Sequence, residues 1–173
     1  MKHADTTSKK GRGFTLVETL VAITILTVVL GVGMGVLQQS LQTANLVRDE
    51  STAYFLAEEA IEYARSVRDT DTLTKANWLA GLSECEGSGV TCGVDATNGS
   101  NTGVSLCSGS SCILSYTGST TTDGLYGGNG TATKFSRTIN LKVITTDEVL
   151  VTAVVTWNAG TFTVKDELYN WQS

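Results

Sequence analysis

Few residues of this 173-residue chain have both the type and the spacing to do chemistry, and the first of them is an acid in unfavourable surroundings. Between Phe14 and Leu37 every residue is uncharged except Glu18. A carboxylate carried into a bilayer is disfavoured by at least about 2.5 kcal/mol, so an acid there is by default functional and in need of a positive partner. The bland alternative is a tolerated interfacial acid, because position 18 lies barely one turn inside the apolar run. A second set is Cys85, Cys92, Cys107 and Cys112. Their even number suits disulfides in an oxidising compartment. Of three possible connectivities, Cys85–Cys92 and Cys107–Cys112 are expected because each closes a short loop. A four-thiolate zinc site is the sharper alternative, but the spacings lack the close CxxC pairs of zinc ribbons.

Catalysis finds little material. His3 is the only histidine and precedes Gly13, which leaves the rest of the chain without an imidazole base, ligand or triad member. Glu58, Glu59 and Glu62 are spaced like the solvated face of an amphipathic helix rather than a catalytic cluster. The loop TTDGLYGGNGTATK offers Asp123 and Asn129 to a cation, yet it does not match the calcium-loop pattern and reads as an exposed connection. No catalytic residue, metal ligand or cofactor is assigned, and no enzymatic activity is expected.

The elements that carry these residues follow from hydropathy and periodicity. Phe14 to Leu37 is 24 residues, about 36 Å as a helix, which spans a hydrocarbon core of about 30 Å with some tilt. Lys2, His3, Lys9, Lys10 and Arg12 against Asp5 place the N-terminus in the cytoplasm and the remainder outside. A cleaved secretory signal is the weaker reading: the apolar run is too long, and Gln38-Gln39-Ser40 offers no small-x-small site. From Leu41 the pattern becomes amphipathic, with Leu46, Ala53, Ala57, Ala60, Ile61, Ala64 and Val67 at helical spacing. One helix from Phe14 to about Arg68 would extend roughly 80 Å, with Asp69, Thr70 and Asp71 as its end. Gly31, Gly33 and Gly35 weaken it locally, each by about 1 kcal/mol. They supply either local flexibility and partial unwinding within a larger assembly or close packing of small residues, and both readings stay open.

Residues 73 to 133 carry the least information. A short helix around Trp78 over Leu73 to Leu82 is expected, followed by turns rich in Gly, Ser, Thr and Asn. The last third alternates with period two: Phe135, Ile139, Leu141 and Val143, then Val149, Val151, Ala153, Val155 and Trp157, then Phe162, Val164 and Leu168 within Thr161 to Tyr169. The class is α+β, a helix laid by its alanine-rich stripe on an antiparallel meander.

At its N-terminus, Lys9-Lys10-Gly11-Arg12-Gly13 followed by Phe14-Thr15-Leu16-Val17-Glu18 resembles the prepilin leader and cleavage motif shared by type IV pilins, type II secretion pseudopilins and competence pseudopilins. The resemblance implies a pilin-like roll with a cytoplasmic leader 1–13, a transmembrane and assembly helix 14–37, and an exoplasmic domain 38–173. It further implies cleavage between Gly13 and Phe14 by a prepilin peptidase that also acts as N-methyltransferase on Phe14. Assembly with other pilin or pseudopilin subunits on an inner-membrane platform, from the lipid of that membrane into a surface or periplasmic filament, is the implied fate. LAEEAIEYARSVRD together with VVTW and YNW resembles the minor pilin and pseudopilin branch. Many relatives carry a proline near Gly31–Gly35, which this chain lacks.

Elementary electrostatics supports that implication. Cleavage after Gly13 removes four basic residues and one acid, so the chain passes from −5 to −8 and loses its cytoplasmic tether. The new amine on Phe14, four residues before Glu18, offers the buried carboxylate a counter-ion, first within a chain and then between neighbours. Glu18 is then a docking residue that sets register. The negative mature surface argues against nucleic acid as a direct partner. The competing classes are an unprocessed single-pass anchor displaying a disulfide-bonded binding domain and a membrane-tethered enzyme.

Overall fold

The computed structural model describes residues 13–74, 77–98, 103–108, 112–118 and 124–171. The basic leader up to Arg12 and Asp123 of the glycine-rich loop lie outside the described residues. The chain divides into two compact units, Met1–Asn45 and Leu46–Ser173. Helix α1, Leu16–Leu73, supplies the described helix of both.

In the first unit every described residue is exposed, and the helix has a window of mean hydropathy 2.6, long and apolar enough to cross a membrane. Proline is absent, and the hydroxyls that interrupt the apolar surface are satisfied locally. Thr19 Oγ1 donates to Leu16 O at 2.8 Å, Thr24 Oγ1 to Val21 O at 2.8 Å and Thr27 Oγ1 to Thr24 O at 2.9 Å. Such back-bonding lets threonine sit in an apolar helix without an orphaned hydroxyl. The helix is unbroken through Gly31–Gly35, and a Cβ on any of these glycines would meet no described atom within 4 Å. Nothing inside the single chain therefore requires glycine there.

In the second unit the helix packs on the sheet. Ala53, Leu56, Ala57, Ala60, Ile61, Ala64 and Val67 are all buried and belong to the clusters shared with the sheet. Leu46 is exposed, so the stripe begins about two turns later, at Ala53. The helix also runs on to Leu73 instead of stopping near Asp69–Asp71. The reason is Asp71, which is buried at the C-terminal turn and accepts a 2.7 Å hydrogen bond from Gly81 N–H. That contact draws the following segment back onto the helix end. The expected helix around Trp78 is replaced by a turn and a short 3-10 helix, Ala80–Cys85, with Trp78 packed against the core.

Seven strands form one antiparallel sheet: β1 Cys92–Val94, β2 Val104–Leu106, β3 Ile113–Thr117, β4 Leu125–Gly127, β5 Thr131–Thr145, β6 Glu148–Trp157 and β7 Gly160–Tyr169. The three long strands follow the period-two segments. β5 is central: one side pairs along its length with β6, which in turn pairs with β7, while the other side receives β3 and then β1. β2 and β4 extend those two branches. Phe135, Ile139, Leu141, Val149, Val151, Ala153, Val155 and Leu168 face the helix and are buried. Val143 does not join them; a register shift between Val143 and Thr145 turns the end of β5, and Val143 is half exposed.

Candidate functional site

The N-terminal site is built on the first turn of α1. The helix starts at Leu16, two residues later than expected, because Thr15 caps it: Thr15 Oγ1 accepts from Glu18 N–H at 3.3 Å. Thr15-Leu16-Val17-Glu18 thus has the sequence and the hydroxyl half of a capping box. Glu18 occupies the first turn, where a carboxylate interacts favourably with the positive end of the helix dipole. Gly13 and Phe14 precede the cap and are not helical; Phe14 is 80% exposed. Helical phasing therefore does not bring Phe14 over Glu18, and Gly13 and Phe14 are accessible. The capping threonine was legible as T-x-x-E but is absent from a reading that concentrates on the acid.

Beyond the cap the helix presents an apolar surface with no intramolecular partner among the described residues: Leu20, Ile23, Leu26, Leu30 and Leu37 are all well over half exposed. This face, one carboxylate and one capped N-terminus make a surface suited to lipid and to like helices, not a pocket for a small substrate.

The cysteines occupy the second unit. Cys85 pairs with Cys92 and Cys107 with Cys112, with Cα–Cα separations of 5.6 and 5.7 Å. The first pair ties the 3-10 helix to β1 inside the core, and the second joins the end of β2 to the start of β3. With the sulfurs so engaged there is no four-thiolate zinc site. No cluster of metal-ligating side chains occurs among the described residues.

Two acids of the solvated face of α1 also form ion pairs. Glu62 pairs with Arg65, which also reaches Asp166 on β7 at 3.0 Å. Glu59 meets Arg137, the largest fully buried side chain of the fold. Arg137 stands on the inward face of β5 between Phe135 and Ile139, a position that alternation reserves for an apolar residue. Its Nε and Nη2 donate to Val94 O at 3.2 and 2.9 Å, and its Nη1 donates to Leu56 O at 3.4 Å. One guanidinium therefore locks α1, β5 and β1 together. The signal was present in the sequence as a charged residue in phase with the core.

Two tyrosines are perturbed. Burial foremost raises the Tyr63 phenol above its ordinary range, and the hydroxyl accepts from Gly103 N–H at 3.0 Å while reaching Asn98 O at 3.3 Å. Tyr169 Oη donates to Glu167 at 2.7 Å and to Glu148 at 3.5 Å. The bond to Glu167, with smaller contributions from desolvation and the two carboxylate charges, pushes the Tyr169 phenol up to about 12. A folded value above the unfolded one means that the associated stabilisation is complete below about pH 10 and is lost as pH rises towards 12. A phenolate absorbance titration is expected to show Tyr169 among the last phenols to ionise. In Tyr169→Phe that component should vanish, and the alkaline fall in stability should be shallower.

A long helix with an apolar first part and an alanine-striped second part laid on an antiparallel sheet defines an α+β class with a disulfide-bonded domain. Residues 8–34 match the family model described as the prokaryotic N-terminal methylation motif, the prepilin motif of type IV pilins and pseudopilins. The chain is thus pilin-like in its N-terminal motif. No curated protein and no solved structure matches it.

Proposed function

We propose that the chain is a structural subunit, of the minor kind, of a type IV pilus or a type II secretion-like pseudopilus. The observation that carries this reading is the conjunction of an accessible Gly13–Phe14 bond, a capped helix start bearing Glu18, and an apolar helix surface without an intramolecular partner. The leader 1–13 holds the precursor in the inner membrane with its N-terminus in the cytoplasm. A prepilin peptidase cuts after Gly13 and methylates Phe14. The 14–37 helix then leaves the lipid for a bundle of like helices, and the 38–173 domain, stapled by disulfides that suit an extracytoplasmic compartment, is carried outward. Exposed Gly31, Gly33 and Gly35 suit close contact with neighbouring helices in that bundle, where small residues let backbones approach.

Intact-mass analysis of the protein from native envelopes is expected to find a chain starting at Phe14 with one added methyl group. Gly13→Val should leave a full-length membrane protein that stays out of filaments. A native product that still begins at Met1 would instead make the chain an unprocessed anchor.

A further inference from the structure

β7 lies at a margin of the sheet and, among the described residues, pairs only with β6. The phase of that ladder determines which backbone groups remain free. Trp157 faces Gly160 across a two-residue turn, and Asn170 N–H donates to Asp147 O at 2.9 Å. Even-numbered residues of β7 therefore exchange hydrogen bonds with β6. Thr161, Thr163, Lys165, Glu167 and Tyr169 turn their N–H and C=O groups to the open side. Of these, the Tyr169 carbonyl accepts from Arg68 Nη1 at 3.4 Å. The five side chains are exposed, and the strand pairs through ten residues without a bulge or a proline. A long regular edge of this kind is a template for another strand.

The charges select the occupant. An antiparallel copy of β7 can add through a two-fold axis centred on the middle of the strand. An axis at Lys165 opposes Lys165 with its own copy, and an axis at Val164 opposes it with Thr163. An axis at Asp166 sets Lys165 against Glu167 of the second copy twice over, with Thr163 against Tyr169 and, on the other face, Val164 against Leu168. The two Asp166 side chains that meet on the axis are each already held by Arg65. We propose that β7 is a homotypic docking edge, joined to a second copy of this chain in the register that pairs Lys165 with Glu167.

This contact has a polarity. Tyr54 lies beside Phe162, Arg65 meets Asp166 and Arg68 meets Tyr169, so α1 and β7 run in the same direction. A two-fold axis across β7 reverses one chain, and the two α1 helices enter their domains from opposite ends. Copies borne on facing surfaces can supply such an antiparallel pair. It holds whether or not the chain is a filament subunit.

The test uses the full chain reconstituted in phosphatidylcholine vesicles, domain outward, at about 0.15 M salt to screen general repulsion. Native vesicles are expected to cluster, as read by light scattering. Lys165→Glu alone and Glu167→Lys alone should each cluster about tenfold more slowly, because like charges then face each other across the strands. Mixing the two variant populations should restore clustering, since every facing pair is again of opposite sign. Thr163→Pro removes an outward N–H and leaves the β6 ladder intact, so it should abolish clustering with an unchanged far-ultraviolet spectrum. Dispersed native vesicles, single reversals that cluster like the native chain, a mixture that stays dispersed, or a folded Thr163→Pro that still clusters would each overturn the proposal. Clustering that requires an added unrelated extended peptide would assign the edge to a different partner and overturn it equally.

Discussion

Replacing Arg137 with alanine is expected to destabilise the domain by about 3 to 5 kcal/mol, in the range found when a buried charged anchor is removed. The loss has two parts. Val94 O would lose its two guanidinium donors while still enclosed, and an unsatisfied buried carbonyl costs about 1 to 3 kcal/mol. The removed side chain also leaves a cavity where α1, β1 and β5 meet, and deletions of that size in cores cost a further few kcal/mol. Glu59 contributes less, because its side chain is 43% exposed and water replaces the lost partner. Glu59→Gln is therefore expected to cost no more than about 1 kcal/mol. Denaturant unfolding followed by tryptophan fluorescence, on both variants, checks the ratio. Equal effects would mean that the ion pair, not the carbonyl lock, holds the helix to the sheet.

Glu18→Ala is expected to be cleaved normally and to lose at least about tenfold in incorporation into filaments, the consequence of removing a charge pair that is poorly screened in lipid. On the proposed reading Glu18 has two separable tasks. As third residue of the helix it belongs to the Thr15 capping box, and as an anion it can pair with the Phe14 amine once the leader is gone. Glu18→Gln separates them, because glutamine fits the box but carries no charge. Failure of Glu18→Gln to assemble would assign the effect to charge, whereas normal assembly would assign it to the cap and overturn the docking role. Thr15→Ala is the matching control, with an expected cost of about 1 kcal/mol in the first turn and little effect on assembly. Immunodetection of each variant in sheared filament fractions against total membrane provides the measurement.

The long elements were legible because their patterns are long. Twenty-three uncharged residues around one acid, the alanine stripe from Ala53 to Val67, and three alternating segments led to the helix and to β5, β6 and β7. Four short strands were not legible. β1, β2 and β4 have three residues each, too few for a period to register, and of them only β1 pairs with β5, while β2 pairs with β1 and β4 with β3. Arg137 was passed over because alternation tracks apolar residues, whereas burial of a guanidinium depends on carbonyls contributed by Val94 and Leu56, 43 and 81 residues away in sequence. Val143 followed the expected period and stays in register opposite Val149, but it is the last residue before the register shift and is half exposed. At the N-terminal site, the acid and the methylation motif were readable from residue types. The late helix start was not, since it turns on one hydroxyl taking one backbone proton.

The ties between α1 and the sheet are spread along both elements: Lys134 to Asp49 at 2.6 Å, Arg137 to Leu56 and Glu59, Arg65 to Asp166, and Arg68 to the carbonyl of Tyr169. Because α1, β5 and β7 point the same way, tension applied through the helix acts along the strands and strains these ties together in shear. They do not peel open one after another. Mechanical load on the sheet-packed part of α1 is thus divided among several bonds at once, a geometry that resists extraction of the helix without a larger core.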